Sequence, residues 1–389
     1  MRTSIAILAA GLLGATALAA ETGVNDKTIS VGQVAALRGP AKELGRGMQS
    51  GLQAYFGQVN RDGGINGRRI SLRSVNDGYE PAKSADAAKM LIDQAGVFAL
   101  IGGVGTPTAR AIVPICEARQ TPFIGPFTGA GFLRDANMSQ VVNIRSSYDQ
   151  EMESIAEVLT ARGIDRIACF YQDDAYGQAG LSGITAALER RGLELCSTGT
   201  YERNTVAITG GFNSIKAGNP EAVVMVGAYT ACSTFIRSAK ADASMEDVTF
   251  CNISFVGTDA LAATLGDMAD GVIVSQVVPY PWDQSFPIVR EYTKAMQTAG
   301  KEDEIGFVSF EGYITAKAFC TAIERINGEP TRAKLLAAFR QAPMDFGGMS
   351  LSFGSNDNQG SDAVFMTVFD GDRPSPLAGA TFANVPTDR

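Results

Sequence analysis

Short apolar runs alternate with longer segments of helical periodicity along most of the chain. In the stretch 97–135, an apolar run over 97–101 ends at two glycines, a helical segment follows to about residue 119, and a second apolar run covers 122–124. Two short strands joined by a helix form a βαβ unit, in which the strands pair in parallel. The same alternation on both sides of this stretch predicts an α/β fold built on doubly wound sheets.

Small and hydroxyl-bearing residues follow the carboxyl ends of both predicted strands. Gly105 and Thr106 come after the first strand, and Thr128 and Gly129 come after the second. Open α/β sheets bind ligands at this edge, and hydroxyl groups beside a helix N-terminus suit an anion. Helix capping would also explain the threonines. Capping and ligand binding are compatible, so we expect both threonines to belong to a binding site.

The second half of the chain repeats the plan of this stretch. Residues 221–236 and 254–265 each carry an apolar run, a glycine, a loop with threonine and a helical segment, in the same order. The repetition predicts two similar lobes rather than one extended sheet. The chain is expected to cross between them near Arg145, Val278 and Pro343. The predicted lobes are 27–145 plus 279–343 for the first, and 146–278 plus 344–375 for the second.

The N-terminal segment 1–20 has the features of a secretory signal peptide. It carries one arginine, an apolar run, and small residues at Ala17 and Ala19 before the expected cleavage site. A membrane anchor is a poorer interpretation, because the run is short and no charged stop-transfer cluster follows it. We therefore expect the mature protein to be exported in soluble form to the periplasm.

Composition and charge narrow the possible partners. The 389-residue chain is 45% hydrophobic and has a net charge of −8, with 33 basic and 41 acidic residues. This length and apolar fraction suit two globular domains. Phosphate binding needs clustered lysine and arginine, which the sequence lacks. Neither nucleic acid nor an anionic membrane surface is expected as a partner.

The residue types also exclude several kinds of chemistry. The chain has no histidine, which removes the commonest general base and the commonest metal ligand. Its six cysteines have no metal-like spacing, and their pairing is left open. The GGVGT segment is not a dinucleotide fingerprint, and the sequence contains no Walker A pattern. We expect a protein with no catalytic residues, no cofactor and no metal.

Four segments resemble a known family, in the same order along nearly the whole mature chain. They are GPAKELGRGMQSGLQAYFGQVNRDGGINGR, DGYEPAKSADAAKMLI, ALIGGVGTPTA and YQDDAYGQAGL. They are similar to the periplasmic substrate-binding proteins of branched-chain amino acid-type ABC transporters, the Leu/Ile/Val-binding-like proteins. The resemblance implies two Rossmann-like lobes joined by a three-strand hinge, the type I periplasmic binding protein fold, with a ligand trapped in the cleft. It also implies permease subunits in the inner membrane as partners; a monomer is expected.

The resemblance implies ligand contacts position by position. Gly105 and Thr106 match the loop that holds the ligand carboxylate in amino acid-binding members, and Thr128 and Gly129 match a second loop. Leu44 matches a first-lobe residue that contacts the side chain of the ligand.

Three tyrosines are predicted to line the cleft. Tyr176 and Tyr229 match second-lobe aromatic residues of the family, of which the first closes on the ligand. Tyr148 lies beside the first predicted crossing, where an ordinary half-buried surface position explains it equally well.

One departure from the family pattern concerns the ligand ammonium. Ser254 stands where amino acid-binding members place an acidic partner for that group, while Asp259 lies nearby as a possible substitute. An unpaired ammonium is costly to bury. A keto, aromatic or aliphatic acid is therefore a rival to an ordinary amino acid as the ligand.

The sequence thus favours a periplasmic receptor of an ABC importer that captures a small carboxylate-bearing ligand. A sensory receptor that docks on a signalling protein is an alternative that the sequence does not separate from it. An exported enzyme using the same cleft is a weaker alternative, because the chain lacks both histidine and a G-x-S-x-G elbow.

Overall fold

A computed structural model describes residues 21–135, 137–371, 373–378 and 383–384. The predicted signal peptide lies outside the described residues. The strands are β1 (Thr28–Ala35), β2 (Arg69–Asn76), β3 (Ala99–Ile101), β4 (Phe123–Ile124), β5 (Val141–Val142), β6 (Ile167–Gln172), β7 (Ser197–Tyr201), β8 (Ala222–Val226), β9 (Thr249–Asn252), β10 (Ile273–Gln276), β11 (Met344–Asp345), β12 (Ser350–Leu351), β13 (Ala363–Phe369), β14 (Pro374–Pro376) and β15 (Ala383–Asn384).

Helices fill most of the segments between these strands. They are α1 (Lys42–Arg61), α2 (Pro81–Lys89), α3 (Thr106–Ala118), α4 (Tyr148–Ala161), α5 (Ala175–Glu189), α6 (Thr209–Ala217), α7 (Tyr229–Lys240), α8 (Thr258–Leu265), α9 (Pro287–Thr298), α10 (Phe307–Glu324) and α11 (Arg332–Phe339). Within the described residues, no helix is both long and apolar enough to cross a membrane.

The first lobe is built on a parallel sheet with strand order β2-β1-β3-β4-β5. Apolar side chains of α1, α9, α10 and α11 pack against one face of this sheet, and those of α2 and α3 pack against the other. Helices on both faces bury a parallel sheet completely, which explains why β3 and β4 are entirely apolar. The predicted α/β class is confirmed.

The second lobe has a larger sheet of mixed direction. Its strand order is β14-β13-β10-β9-β8-β6-β7, in which β6 to β10 are parallel and β13 is antiparallel to β10. The predicted repeat is present, because β8 with α7 and β9 with α8 follow the same plan as β3 with α3. Both sheets therefore turn the carboxyl ends of their parallel strands toward loops that meet between the lobes.

Two of the crossings between the lobes pair with each other. The Asn143 N–H donates to the Asn358 carbonyl at 2.7 Å, and the Gly360 N–H donates to the Asn143 carbonyl at 2.8 Å. Met344 and Leu351 of the β11–β12 hairpin are buried in the first-lobe core. The predicted boundary at Pro343 lies inside this region, so we propose that the third crossing is near residue 359 and that the hairpin belongs to the first lobe.

The lobes are closed on each other in this structure. Phe255 of the second lobe packs against Phe127 and Tyr79 of the first, with ring centroids 5.4 Å and 6.0 Å apart. At the edge of the cleft, Arg203 of the second lobe pairs with Glu80 of the first at 3.0 Å. The residues that face the cleft therefore contact one another directly.

Candidate functional site

Two threonine hydroxyls meet at the carboxyl edge of the first-lobe sheet. Thr106 begins α3 and Thr128 lies in the loop after β4; their Oγ1 atoms are 2.6 Å apart and both side chains are fully buried. The residue that caps α3 is Gly105, which has no side chain, so Thr106 does not serve as that cap. Parallel strand ends have brought two hydroxyls from residues distant in the chain to one point.

The two glycines beside the threonines allow aromatic rings to approach. A Cβ atom at Gly105 would lie 2.2 Å from the ring of Tyr79, and one at Gly129 would lie 2.5 Å from the ring of Tyr148. Gly105 also has φ +106°, a conformation that L-residues rarely adopt. These loops need glycine at both positions, and the rings of Tyr79 and Tyr148 pack against them.

Tyr148 places a third hydroxyl beside the threonines. It begins α4, is buried, and its hydroxyl has no hydrogen-bond partner among the described residues. Burial raises the pKa of Tyr148 to about 12, although Arg145 and the hydroxyls of Thr128 and Thr106 act to lower it. The phenol therefore keeps its proton and can donate its O–H group to a ligand bound beside the threonine hydroxyls.

A buried guanidinium completes the site. Arg145, on the first crossing, is 1% exposed, and its Cζ lies 5.1 Å from the ring centroid of Phe127. Its Nη2 donates to Glu151 at 2.9 Å and also to the Ser254 hydroxyl, and its Nη1 lies 3.5 Å from the Glu311 carboxylate. The Nε and Nη1 atoms have no hydrogen-bond partner among the described residues. Burying hydrogen-bond donors without acceptors is costly, so these two nitrogen atoms are candidates for binding a ligand.

Glu151 is the fully satisfied partner of this arginine. Besides Arg145, it accepts hydrogen bonds from the Ser254 N–H at 2.8 Å, the Ser254 hydroxyl at 3.0 Å and the Ser275 hydroxyl at 2.6 Å. Glu151 thereby holds the guanidinium in place through α4 of the second lobe.

Aromatic rings close over the polar groups. The ring centroid of Tyr176 lies 4.5 Å from that of Phe255 and 5.6 Å from that of Tyr148, and the Tyr176 hydroxyl donates to the Gly227 carbonyl at 3.4 Å. The small space between Phe127, Ser254 and Glu311 admits no water-sized sphere. A ligand can therefore reach the threonine hydroxyls only when the lobes open.

Leu44 and Tyr229 meet at the rim of the same interface. A Cβ atom at Gly257 would lie 2.5 Å from Leu44 and 3.6 Å from Tyr229. Burial raises the pKa of the Tyr229 hydroxyl, although the backbone N–H of Glu43 acts to lower it. Both side chains therefore lie beside Gly257, where the lobes meet.

Ser254 lies in the site, but its polar groups are engaged. Its hydroxyl bonds to Arg145 and Glu151. Asp259, the possible substitute, instead accepts a hydrogen bond from the Phe307 N–H at 3.2 Å, at the start of α10, and burial raises its pKa to about 6. Asp259 thus joins α8 to the first lobe away from Arg145.

The structure adds residues that sequence reasoning did not place in the site. They are Tyr79, Phe127, Arg145, Glu151, Phe255 and Glu311. Two signals were available in the sequence: each of the added aromatic residues follows a strand end, and Glu311 is an acid within a helix that is otherwise largely apolar. A charge at such a position is rarely buried without a partner.

The assembled groups suit recognition of an anion. Three hydroxyls and a guanidinium provide donors to one buried point, and aromatic rings exclude water around it. No group of acidic residues or cysteines in the described parts of the chain has the arrangement of a metal site.

Replacing Thr106 with valine is expected to weaken ligand binding by roughly 1.5–3 kcal/mol, because an anion would lose one charge-assisted hydrogen bond. Titration calorimetry of the variant with the ligand measures this loss. Thr160→Val is the matched control, since among the described residues the Thr160 hydroxyl bonds within α4, to the Ala156 and Glu157 carbonyls. If Thr106→Val and the wild-type protein bound the ligand with equal affinity, the Thr106 hydroxyl would not contact the ligand.

Comparison with known proteins gives a consistent set of similarities. A family described as "Periplasmic binding protein" matches residues 28–374. Leu/Ile/Val-binding protein homolog 7 of Brucella abortus (strain 2308) is 20% identical over 375 residues, 92% of this chain and 94% of that protein. Leu/Ile/Val-binding protein BraC3 of Rhizobium johnstonii is 25% identical over 166 residues, but this match covers 42% of this chain and 45% of that protein.

Solved structures resemble this one over most of their length. A possible leucine/isoleucine/valine-binding protein from Rhodopirellula baltica SH 1 has a TM-score of 0.86 and 38% identity, covering 90% of this chain and 96% of that one. A fatty acid ABC transporter substrate-binding protein from Thermomonospora curvata has a TM-score of 0.83 and 20% identity, covering 94% and 95%. The second likeness, at this identity, concerns the fold alone.

Proposed function

We propose that this chain, which belongs to the periplasmic binding protein family, is the receptor of an ABC importer and captures a small carboxylate between its two lobes. The resemblance drawn from the sequence motifs is confirmed by the family match over residues 28–374. Export to the periplasm, docking on a membrane permease and the absence of enzymatic activity are parts of the same proposal.

The observation that carries this proposal is the unpartnered side of Arg145. Its Nε and Nη1 atoms, together with the Tyr148 hydroxyl, lack hydrogen-bond partners among the described residues although all three are buried. The threonine pair lies beside Tyr148. A carboxylate is the common small group that accepts from a guanidinium and hydroxyls together.

The same arginine argues against an α-ammonium group on the ligand. Ser254 stands where an acidic partner was expected, and its hydroxyl accepts a hydrogen bond from the Arg145 guanidinium. An ammonium beside this cation would be repelled, and burial would remove the water that screens the two charges. A keto, aromatic or aliphatic acid avoids this penalty. The aromatic rings of Phe127, Phe255 and Tyr176 would cover its apolar part.

Closure of the lobes explains how such a ligand is retained. In the open state the acid would bind the first-lobe loops that carry Thr106 and Thr128, and closure would then bring Tyr176 and Phe255 over it. The ligand favours the closed state only through the contacts that it gains there. The closed form would be the one that docks on the permease.

Calorimetric titration with matched pairs of ligands tests the proposal. We expect 4-methyl-2-oxopentanoate to bind more tightly than leucine, and phenylpyruvate more tightly than phenylalanine, with benzoate and octanoate completing the set. Each pair keeps the side chain and changes only the α-substituent, so the difference isolates the ammonium penalty. The reverse order in both pairs would contradict the proposed ligand class.

An α-amino acid is the second candidate, and one observation favours it. The Glu311 carboxyl is buried, and its contact with Arg145 is a 3.5 Å ion pair rather than a hydrogen bond. Glu311 is therefore the acid that could accept from a ligand ammonium, in place of Asp259, which bonds to the start of α10. In that case Glu311→Gln would abolish the binding of leucine.

A further inference from the structure

The buried cluster around Arg145 contains two carboxyl groups and one guanidinium. Glu151 is 0% exposed and Glu311 is 3% exposed, so neither is in free contact with water. The two acids differ in their surroundings. Glu151 accepts hydrogen bonds from backbone and side-chain donors in addition to Arg145, whereas the polar contact of Glu311 among the described residues is the 3.5 Å ion pair.

We propose that Glu311 takes up a proton from the solvent when a carboxylate ligand binds at Arg145, so that capture of the ligand is coupled to protonation of this side chain. This inference rests on the proposed function and names the residue that adapts the site to an anion. Glu311 lies on α10 of the first lobe, whereas Glu151 lies on α4 of the second. The guanidinium between them is the natural place for a third carboxylate.

The argument is one of charge balance in a closed cleft. With both acids ionised, Arg145 and the two carboxylates carry a net charge of −1. An anionic ligand would raise this to −2 in a space with no room for screening water. Like charges that share a buried site cannot all stay ionised, and the least stabilised group takes the proton. That group is Glu311, because Glu151 has the stronger set of donors.

The groups that face Glu311 from neighbouring elements set how easily it protonates. They are Arg145 on the first crossing, Glu151 on α4, and Arg134 on the short helix Gly131–Arg134. Burial, opposed by Arg145 and Arg134 and assisted by Glu151, raises the pKa of Glu311 to about 7 without a ligand. The protonated form of this side chain is therefore within reach near neutral pH, and an added anion shifts the balance toward it.

The sign of the pH dependence follows from this. Below the pKa of Glu311 in the unliganded protein the proton is already bound, so binding takes up none. Above it, each ligand must bring a proton with it, so the affinity falls as pH rises, by at most about tenfold per pH unit. If Glu311 instead paired with a ligand ammonium, the pH dependence would be opposite. The ionised form of Glu311 would then be the one that binds, and this form becomes more populated as pH rises.

Calorimetry in buffers of different ionisation enthalpy measures the proton directly. The mature chain is titrated with 4-methyl-2-oxopentanoate, benzoate and octanoate in phosphate and in Tris, from pH 6.5 to 8.5. We expect uptake to approach about one proton per ligand at the alkaline end and to decline toward acid pH. Since these acids stay ionised throughout this range, the proton must be taken up by the protein.

Two variants assign the proton to its residue. Glu311→Gln keeps the shape of the side chain in a neutral form, so it should bind the acid without proton uptake and with little change in affinity across the pH range. Glu324→Gln is the control, because Glu324 is an exposed acid on the same helix. It removes one negative charge and should leave the uptake unchanged.

Each result distinguishes this inference from the proposed function. Tight binding of an acid without proton uptake, in both buffers at alkaline pH, overturns the role of Glu311 and leaves the proposed function standing. Failure of every acid to bind, with leucine binding more tightly as pH rises, overturns both. Should Glu311→Gln fail to fold, uptake by the wild-type chain in the two buffers still supports or contradicts the proton coupling.

Discussion

Replacing Arg145 with methionine is expected to weaken ligand binding by about a hundredfold or more. The ligand carboxylate would lose the charge-assisted hydrogen bonds of Nε and Nη1, each worth roughly 1.5–3 kcal/mol. The variant should also be less stable by roughly 3–5 kcal/mol, because removal of one partner leaves buried carboxylates without their counter-charge. Titration calorimetry measures the first effect, and urea unfolding measures the second.

Arg332→Met separates binding from stability. Arg332 is a half-buried arginine of the first lobe whose guanidinium donates to the carbonyls of Val97 and Phe98, beside the amino end of β3. Its loss should lower the free energy of unfolding but leave ligand affinity unchanged.

Arg145→Lys keeps the charge at the site, so it should fold better than Arg145→Met and still bind weakly. Full affinity in Arg145→Lys and Arg145→Met would exclude Arg145 as the anchor of the ligand.

Gly105→Ala is expected to disrupt the anion loop and the closure of the lobes together. The new Cβ would lie 2.2 Å from the ring of Tyr79, which must move, and the Tyr79 hydroxyl accepts a hydrogen bond from Gln172 of the second lobe. The backbone at Gly105, with φ 106° and ψ 152°, is in a region nearly restricted to glycine, which adds about 1–3 kcal/mol, and the overlap adds roughly 1–3 kcal/mol. Affinity should fall by roughly tenfold to a hundredfold.

Gly163→Ala is the matched control for this change. Gly163 follows α4 with φ +74°, and a Cβ atom there would meet nothing within 4 Å. It therefore carries the conformational cost without the overlap, so it should destabilise the chain modestly and leave ligand affinity at the wild-type level. Equal losses of affinity in Gly105→Ala and Gly163→Ala would show that contact with Tyr79 is irrelevant to binding.

Local patterns were sufficient for the class of fold and for the position of the threonine pair. Alternation of apolar runs and helical periodicity predicted β3, α3 and β4 with only short errors at the ends, since both features are repeated within a few residues. Parallel strands end at one edge of the sheet, so residues that follow two neighbouring strands meet there. This is why Thr106 and Thr128, which are distant in sequence, were predicted in one site.

Local sequence patterns did not predict which lobe the segment before the third crossing packs against. The sequence assigned residues 344–375 to the second lobe, but Met344 and Leu351 belong to a separate hairpin that packs on the first-lobe core. A short apolar run can be buried against either lobe, and its own sequence does not indicate which. The choice depends on the surface that α9, α10 and α11 leave uncovered.

The chemistry of the site was decided by tertiary structure. The sequence by itself determined which loops reach the cleft, because strand ends are a local property of the chain. It did not determine that Arg145 would be buried between Glu151 and Glu311, or that Ser254 would bond to it rather than stand open to a ligand. The partners of a long charged side chain depend on which surfaces closure brings together, and those surfaces come from distant segments whose meeting leaves no periodic signal.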